Sequence, residues 1–134
     1  MFKKTLSLLL AVIVFAAIIP AAYADPSTQV PFNNMPVHGG PSQEMCINKT
    51  CTDTGYCNYV IDGLNLGSQS KISFRVYKGS VKLSSLENVT GTTGYTYLYY
   101  DLNHPALGDM LRLKASIPST NVYTTVTFTG NFWF

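Results

Sequence analysis

The chain has 134 residues, and its 9 Lys and Arg against 7 Asp and Glu make up only 12% of it, too weak a charge pattern to favour nucleic acid or an anionic surface as partner. Two histidines and three cysteines leave little material for acid-base, nucleophilic or metal chemistry. One domain is expected at this length, large enough to bury a core without metal or many disulfides.

At the N-terminus Lys3 and Lys4 precede an apolar run from Leu6 to Ile19, Pro20 ends it, and Ala22-Tyr23-Ala24 places small residues where a leader is cut. Residues 1–24 therefore read as a signal peptide cleaved before Asp25, with the product secreted to the extracellular space or the periplasm. The run is shorter than the ~20 residues of a spanning helix, so no membrane span is expected after cleavage. Without Lys3 and Lys4 the remainder carries equal numbers of acidic and basic side chains.

Residues 25–43 hold prolines at 26, 31, 36 and 41 and a Gly39-Gly40 pair, which reads as an extended, flexible arm that no ladder runs through. From Glu44 on, apolar residues show no helical period. Short stretches rich in Val, Ile, Thr, Tyr and Phe recur between turn signals instead, and residues 44–134 are expected to form the folded domain.

The first such stretch, Gly55 to Leu66, reads as a strand ending in an Asp62-Gly63 turn. In the next, Ile72, Phe74 and Val76 alternate with Ser73, Arg75 and Tyr77, and a Gly79-Ser80 turn sets Lys78 opposite Val81, Tyr77 opposite Lys82 and Val76 opposite Leu83. Further on, Leu98, Tyr100 and Leu102 alternate with Tyr95, Tyr97 and Tyr99. A last hairpin is predicted from Leu111, Leu113, Ala115 and Ile117, turning at 118–121 and returning through Val122, Val126, Phe128, Phe132 and Phe134, with Leu113 opposite Val126. About seven short strands fit an all-β fold, a small antiparallel two-sheet β-sandwich, better than a closed barrel.

Three cysteines permit at most one disulfide within the chain. If a loop at 52–56 joins two neighbouring strands, Cys51 and Cys57 face each other within reach, whereas Cys46 and Cys51 on one strand stand roughly 16 Å apart. A Cys51–Cys57 disulfide is expected, with Cys46 buried or linking two chains; a Cys46–Cys51 bridge becomes possible if that stretch is a loop. A three-thiolate metal site is disfavoured, because the spacing lacks a paired C-x-x-C and no histidine lies near. His38 reads as part of a flexible turn. His104, between Asp101 and Asp109, reads as a loop residue before a metal ligand or base. Lys71, Arg75, Lys78 and Lys82 read as a solvated strand face. Asn48-Lys49-Thr50 and Asn88-Val89-Thr90 match the glycosylation pattern.

The functional candidate is aromatic. Tyr95, Tyr97 and Tyr99 share one strand face, and Tyr123 and Trp133 are their candidate companions, since ring faces with polar tips suit sugars or a protein partner. Alternation alone assigns these tyrosines to the core more readily than to a platform, so their accessibility decides. With no catalytic set and no cofactor motif, the leading expectation is a non-enzymatic protein that acts by surface binding, in an accessory, adhesive or matrix role, toward a protein or glycan partner. A secreted toxin, bacteriocin or inhibitor comes second, and a surface-fibre subunit self-associating through the C-terminal strand or Cys46 third. An outer-membrane barrel is last, the chain being short for eight membrane strands.

Overall fold

The computed structural model describes residues 29–134, apart from the side chains of Cys46, Ile47 and Asn48; residues 1–28, with the expected leader and its cleavage position, lie outside the described residues. The described residues form nine strands: β1 (Gln29–His38), β2 (Gln43–Thr50), β3 (Tyr56–Asn65), β4 (Ile72–Lys78), β5 (Val81–Lys82), β6 (Glu87–Val89), β7 (Thr96–Tyr99), β8 (Met110–Ser116) and β9 (Thr125–Trp133). They make two antiparallel sheets. Sheet A has the order β1-β9-β3-β7, and sheet B has β2-β8-β4-β5, with β6 also pairing β4. Among the described residues no helix is long and apolar enough to cross a membrane.

The period-2 alternation sets the burial. In β8 Leu111, Leu113 and Ala115 are fully buried, as are Val126, Phe128 and Phe132 in β9 and Ile72, Phe74 and Val76 in β4. These inner faces meet in one core, where Phe74 packs within 5.1 Å of the Phe132 ring and 5.2 Å of Phe128, joining the two sheets. The β4–β5 hairpin has the expected register, with Tyr77 opposite Lys82 and Lys78 opposite Val81, and Leu83 N donates to Val76 O at 2.9 Å just beyond it. Gly79, at φ 58°, takes the left-handed turn position that a side chain resists.

Three expectations are corrected. The first is the last hairpin, since β8 pairs with β2 and β4 in sheet B while β9 pairs with β1 and β3 in sheet A. Their apolar residues face each other across the core instead of lying side by side, and Val122 is exposed. Alternation fixes which way a residue points, but not which strand lies next to it.

The second is the flexible arm, because Gln29–His38 runs as a strand along β9 and buries Phe32 and Val37. As an edge strand it tolerates Pro31 and Pro36, whose missing N–H costs nothing where it would face away from the neighbour. The third is the Asp62-Gly63 turn, which is a bulge within β3. β9 is flanked on both sides and has no free edge.

Candidate aromatic face

β7 hangs on the edge of sheet A by its pairing with β3, in which Tyr56 is opposite Tyr99, Cys57 opposite Leu98 and Asn58 opposite Tyr97. Leu98 and, just past the strand, Tyr100 point into the core and are buried. Parity then turns Tyr95, Tyr97 and Tyr99 outward, at 58%, 44% and 60% exposure. The accessibility question is answered for the surface.

The rings form one connected layer. Tyr97 and Tyr99 stack at 5.9 Å between centroids, and Tyr56 from the neighbouring strand meets both edge-on, at 5.0 and 6.0 Å. Tyr95 continues the layer, 5.9 Å from Tyr97 and 5.7 Å from Trp133. Trp133 belongs to β9, two strands from β7, and both are in register with Asn58 of the strand between. Tyr97, Asn58 and Trp133 therefore make a row across the sheet.

Asn58 Oδ1 is buried in that row without a hydrogen-bond partner. At the margin Asp53 accepts from Gly55 N at 2.7 Å, and its carboxylate raises the phenol pKa of the nearby Tyr56. Tyr123 does not join the layer. It sits 90% exposed in the turn before β9, at the end of that strand remote from Trp133.

Tyr56 and Asn58 were not among the expected residues. Their signal is nevertheless present, because in Tyr56-Cys57-Asn58-Tyr59 the buried Cys57 and Tyr59 leave the other two on the outside.

The same face of sheet A continues away from the rings. Along β9 the outward residues Trp133, Asn131, Thr129 and Thr127 are half-buried, and Asn131 Oδ1 accepts from Gln29 Nε2 at 3.0 Å. Bulges in β1, between Phe32 and Met35, and in β3, between Ile61 and Gly63, flank β9 at Gly130. A Cβ on Gly130 would lie 2.2 Å from Val60 O, so only glycine fits there. Beside the bulges opens a groove of about 210 Å³ lined by Asn34, Gly63, Leu64, Asn65, Thr127, Phe128 and Thr129. Asn34 stands at φ 48° and donates its backbone N–H to Thr129 Oγ1 at 3.0 Å.

The chemical candidates are placed elsewhere. Cys51 and Cys57 are both buried and free, and the geometry expected for their disulfide is missing, because β2 and β3 belong to different sheets and the link between them crosses the sandwich. Cys51 Sγ donates to Asp53 O at 3.0 Å. Burial pushes the Cys57 thiol and the Tyr100 phenol up strongly, and the Tyr100 hydroxyl sits beside Cys57 without a well-formed hydrogen bond. Cys46 keeps its place in β2, but its thiol is outside the described side chains.

His104 Nδ1 lies 3.1 Å from Thr54 O, while its two candidate carboxylates are engaged apart from it. Asp101 accepts from Ser85 N and Oγ at 2.6 and 2.5 Å, and Asp109 pairs with Lys78 Nζ at 2.7 Å. These partners hold both carboxyls below their ordinary value, Ser85 in the first case and Lys78 in the second. His38 belongs to β1, not to a loose turn, and contacts Thr125 Oγ1 at 2.9 Å. Among the described residues no three His, Cys, Asp or Glu side chains gather as a metal would need.

No protein-family model, curated protein or solved structure matches this chain.

Proposed function

We propose that this chain is an exported, non-enzymatic β-sandwich protein that acts by surface binding, through the layer formed by Tyr95, Tyr97, Tyr99 and Trp133 together with Tyr56. The observation that carries the reading is the contiguity of exposed rings on one sheet face. Exposed aromatic area has a solvation cost that a soluble surface normally avoids, and a patch of this kind is a common mark of an interaction site. Ring faces supply contact area with little loss of side-chain freedom, while phenolic and indole tips supply hydrogen bonds that fix orientation.

The test is a double substitution, Tyr97→Ala with Tyr99→Ala, in the exported protein. Both side chains are largely exposed, so melting should change little, at about 1 kcal/mol or less beyond the lost ring contacts. Retention on immobilised polysaccharides and on an array of glycans and proteins should be lost, and no ligand should be cleaved or modified. Unfolding of the variant would return the tyrosines to a structural role, and turnover of a bound ligand would contradict the non-enzymatic reading.

A further inference from the structure

We propose that the aromatic layer is one end of a longer linear site, and that its ligand is a neutral polysaccharide chain lying along β9 from Tyr99 to the groove at Asn34 and Thr127. This rests on the binding reading above and adds the ligand class and a second subsite.

The argument begins with what the face lacks. From the rings to the groove, the outward side chains of sheet A are tyrosine, tryptophan, asparagine, glutamine, proline, threonine and one valine, Val60 opposite Asn131, with Asp53 at the margin and Asp62 in the bulge as the nearest charges. An anionic ligand would meet no countercharge there, and a cationic one only these two carboxylates at the edges. The outer face of sheet B differs, because Arg75 stands directly opposite Lys114, and Arg112 opposite Tyr77, whose other neighbour is Lys82. An anionic chain would be drawn to that face and not to the one with the rings.

What the stripe offers instead is alternately flat and polar. Ring faces carry negative charge density, so they accept the slightly positive C–H faces of a sugar by stacking. Amides and hydroxyls are the groups that match hydroxyl-rich ligands, since each can both donate and accept. Asn131, Thr129, Thr127 and Asn34 provide them in sequence beyond Trp133. The orphaned Asn58 Oδ1 supplies one further acceptor inside the ring layer, where a ligand hydroxyl that parts the rings would satisfy it.

Length argues for a chain over a single sugar. Thr127 and Trp133 are six residues apart on one strand, about 20 Å at ~3.3 Å per residue, and the rings of β7 add to that span. One sugar ring covers only a small part of it. The groove also has a built wall: Asn34 is held in the left-handed region, unusual for a residue other than glycine, by its hydrogen bond to Thr129.

The experiment is calorimetric titration of the exported protein with cello-, xylo- and chito-oligosaccharides, each as di-, tetra- and hexasaccharide. In the matching series the hexasaccharide should bind at least tenfold more tightly than the disaccharide. Asn34→Gly with Thr127→Val keeps the backbone of the bulge and the volume at the strand while removing the amide and the hydroxyl. It should lower hexasaccharide affinity about tenfold, the loss expected for one or two hydrogen bonds, and leave the disaccharide unchanged. Thr127→Val alone serves if the pair melts early. The aromatic double variant should abolish binding at every length.

Equal affinity for all lengths, or a groove variant that binds like the parent, overturns the linear site and leaves the aromatic reading standing. Failure of every oligosaccharide, with a protein ligand lost in the aromatic variant, overturns the polysaccharide and again spares that reading. Binding of sugars that neither variant weakens overturns both.

Discussion

The two sides of sheet A are both aromatic, and they use different residues. The inner side is built mainly from phenylalanine, Phe32, Phe128, Phe132 and Phe134, with two buried phenols, Tyr59, whose hydroxyl donates to Glu87 Oε1 at 3.0 Å, and Tyr100 just past β7. The outer side has tyrosine and tryptophan alone, in Tyr56, Tyr95, Tyr97, Tyr99 and Trp133. A ring without a polar atom is cheapest to bury, whereas a ring with a hydroxyl or an N–H can stay wet at one end and still offer its face. Aromatic content by itself therefore says little about function, but the division between Phe within and Tyr and Trp without separates packing from presentation.

The largest expected effect that sharpens this contrast comes from neighbours in one strand. Phe132→Ala empties the centre of the core and should cost about 3–5 kcal/mol, a large part of the stability of a domain this size. Trp133→Ala, one residue on and half-exposed, should cost about 1 kcal/mol while weakening ligand binding. Comparable losses from both, measured by chemical denaturation, would mean that the outer rings are structural.

A smaller effect concerns the phenols. Burial raises the Tyr59 and Tyr100 phenols, with Glu87 adding to the first and Cys57 to the second. Their folded values lie above the unfolded one of about 10, so their contribution to the folded state is fully present below that pH and is lost progressively as the pH rises from there toward the folded values. Absorbance titration should show these two ionising only together with unfolding, while Tyr59→Phe makes the protein less sensitive to alkali. Ionisation of all phenols before any loss of structure would contradict the assignment of an inner set.

The smallest expected effect is none. On the outer face of sheet B, Lys114 Nζ lies 5.1 Å over the Tyr77 ring and Arg112 stands 3.7 Å from Glu44, and Arg75 and Lys82 beside them leave that side basic despite this one carboxylate. If the ligand lies on sheet A, Arg112→Gln with Lys114→Gln should leave its affinity unchanged, and so should raising the salt concentration. A steep fall with salt would move the binding to the other sheet.

Much of this division was legible in the sequence, and the losses have identifiable causes. The β4–β5 register follows from its Gly79-Ser80 turn, and the outward set Tyr95, Tyr97 and Tyr99 follows from parity once Leu98 and Tyr100 are known to be inside. Which of the two parities faces the core is not written in β7 itself, because both sets are apolar enough. Strand partners were less legible still. Ile117 and Val122 suggested a hairpin, but residues 117–124 carry the chain from one sheet to the other.

β1 was hidden by its bulge. Phe32 and Val37 both point inward although five residues separate them, a spacing that simple alternation excludes and that the extra residue between Phe32 and Met35 restores. The groove next to Asn34 is a product of that bulge and of the one in β3, so nothing in a period-2 reading announced it.

The central claim is that one face of sheet A is the binding surface, and the most direct measurement is a ligand titration followed by the ring resonances of Tyr95, Tyr97 and Tyr99 and the indole N–H of Trp133. Shifts are predicted at these groups first, extending with longer ligands to the amides of Asn131, Thr127 and Asn34, while Arg75, Arg112 and Lys114 stay unmoved. Saturable shifts confined to sheet B, or binding that leaves all four aromatic side chains undisturbed, would contradict it.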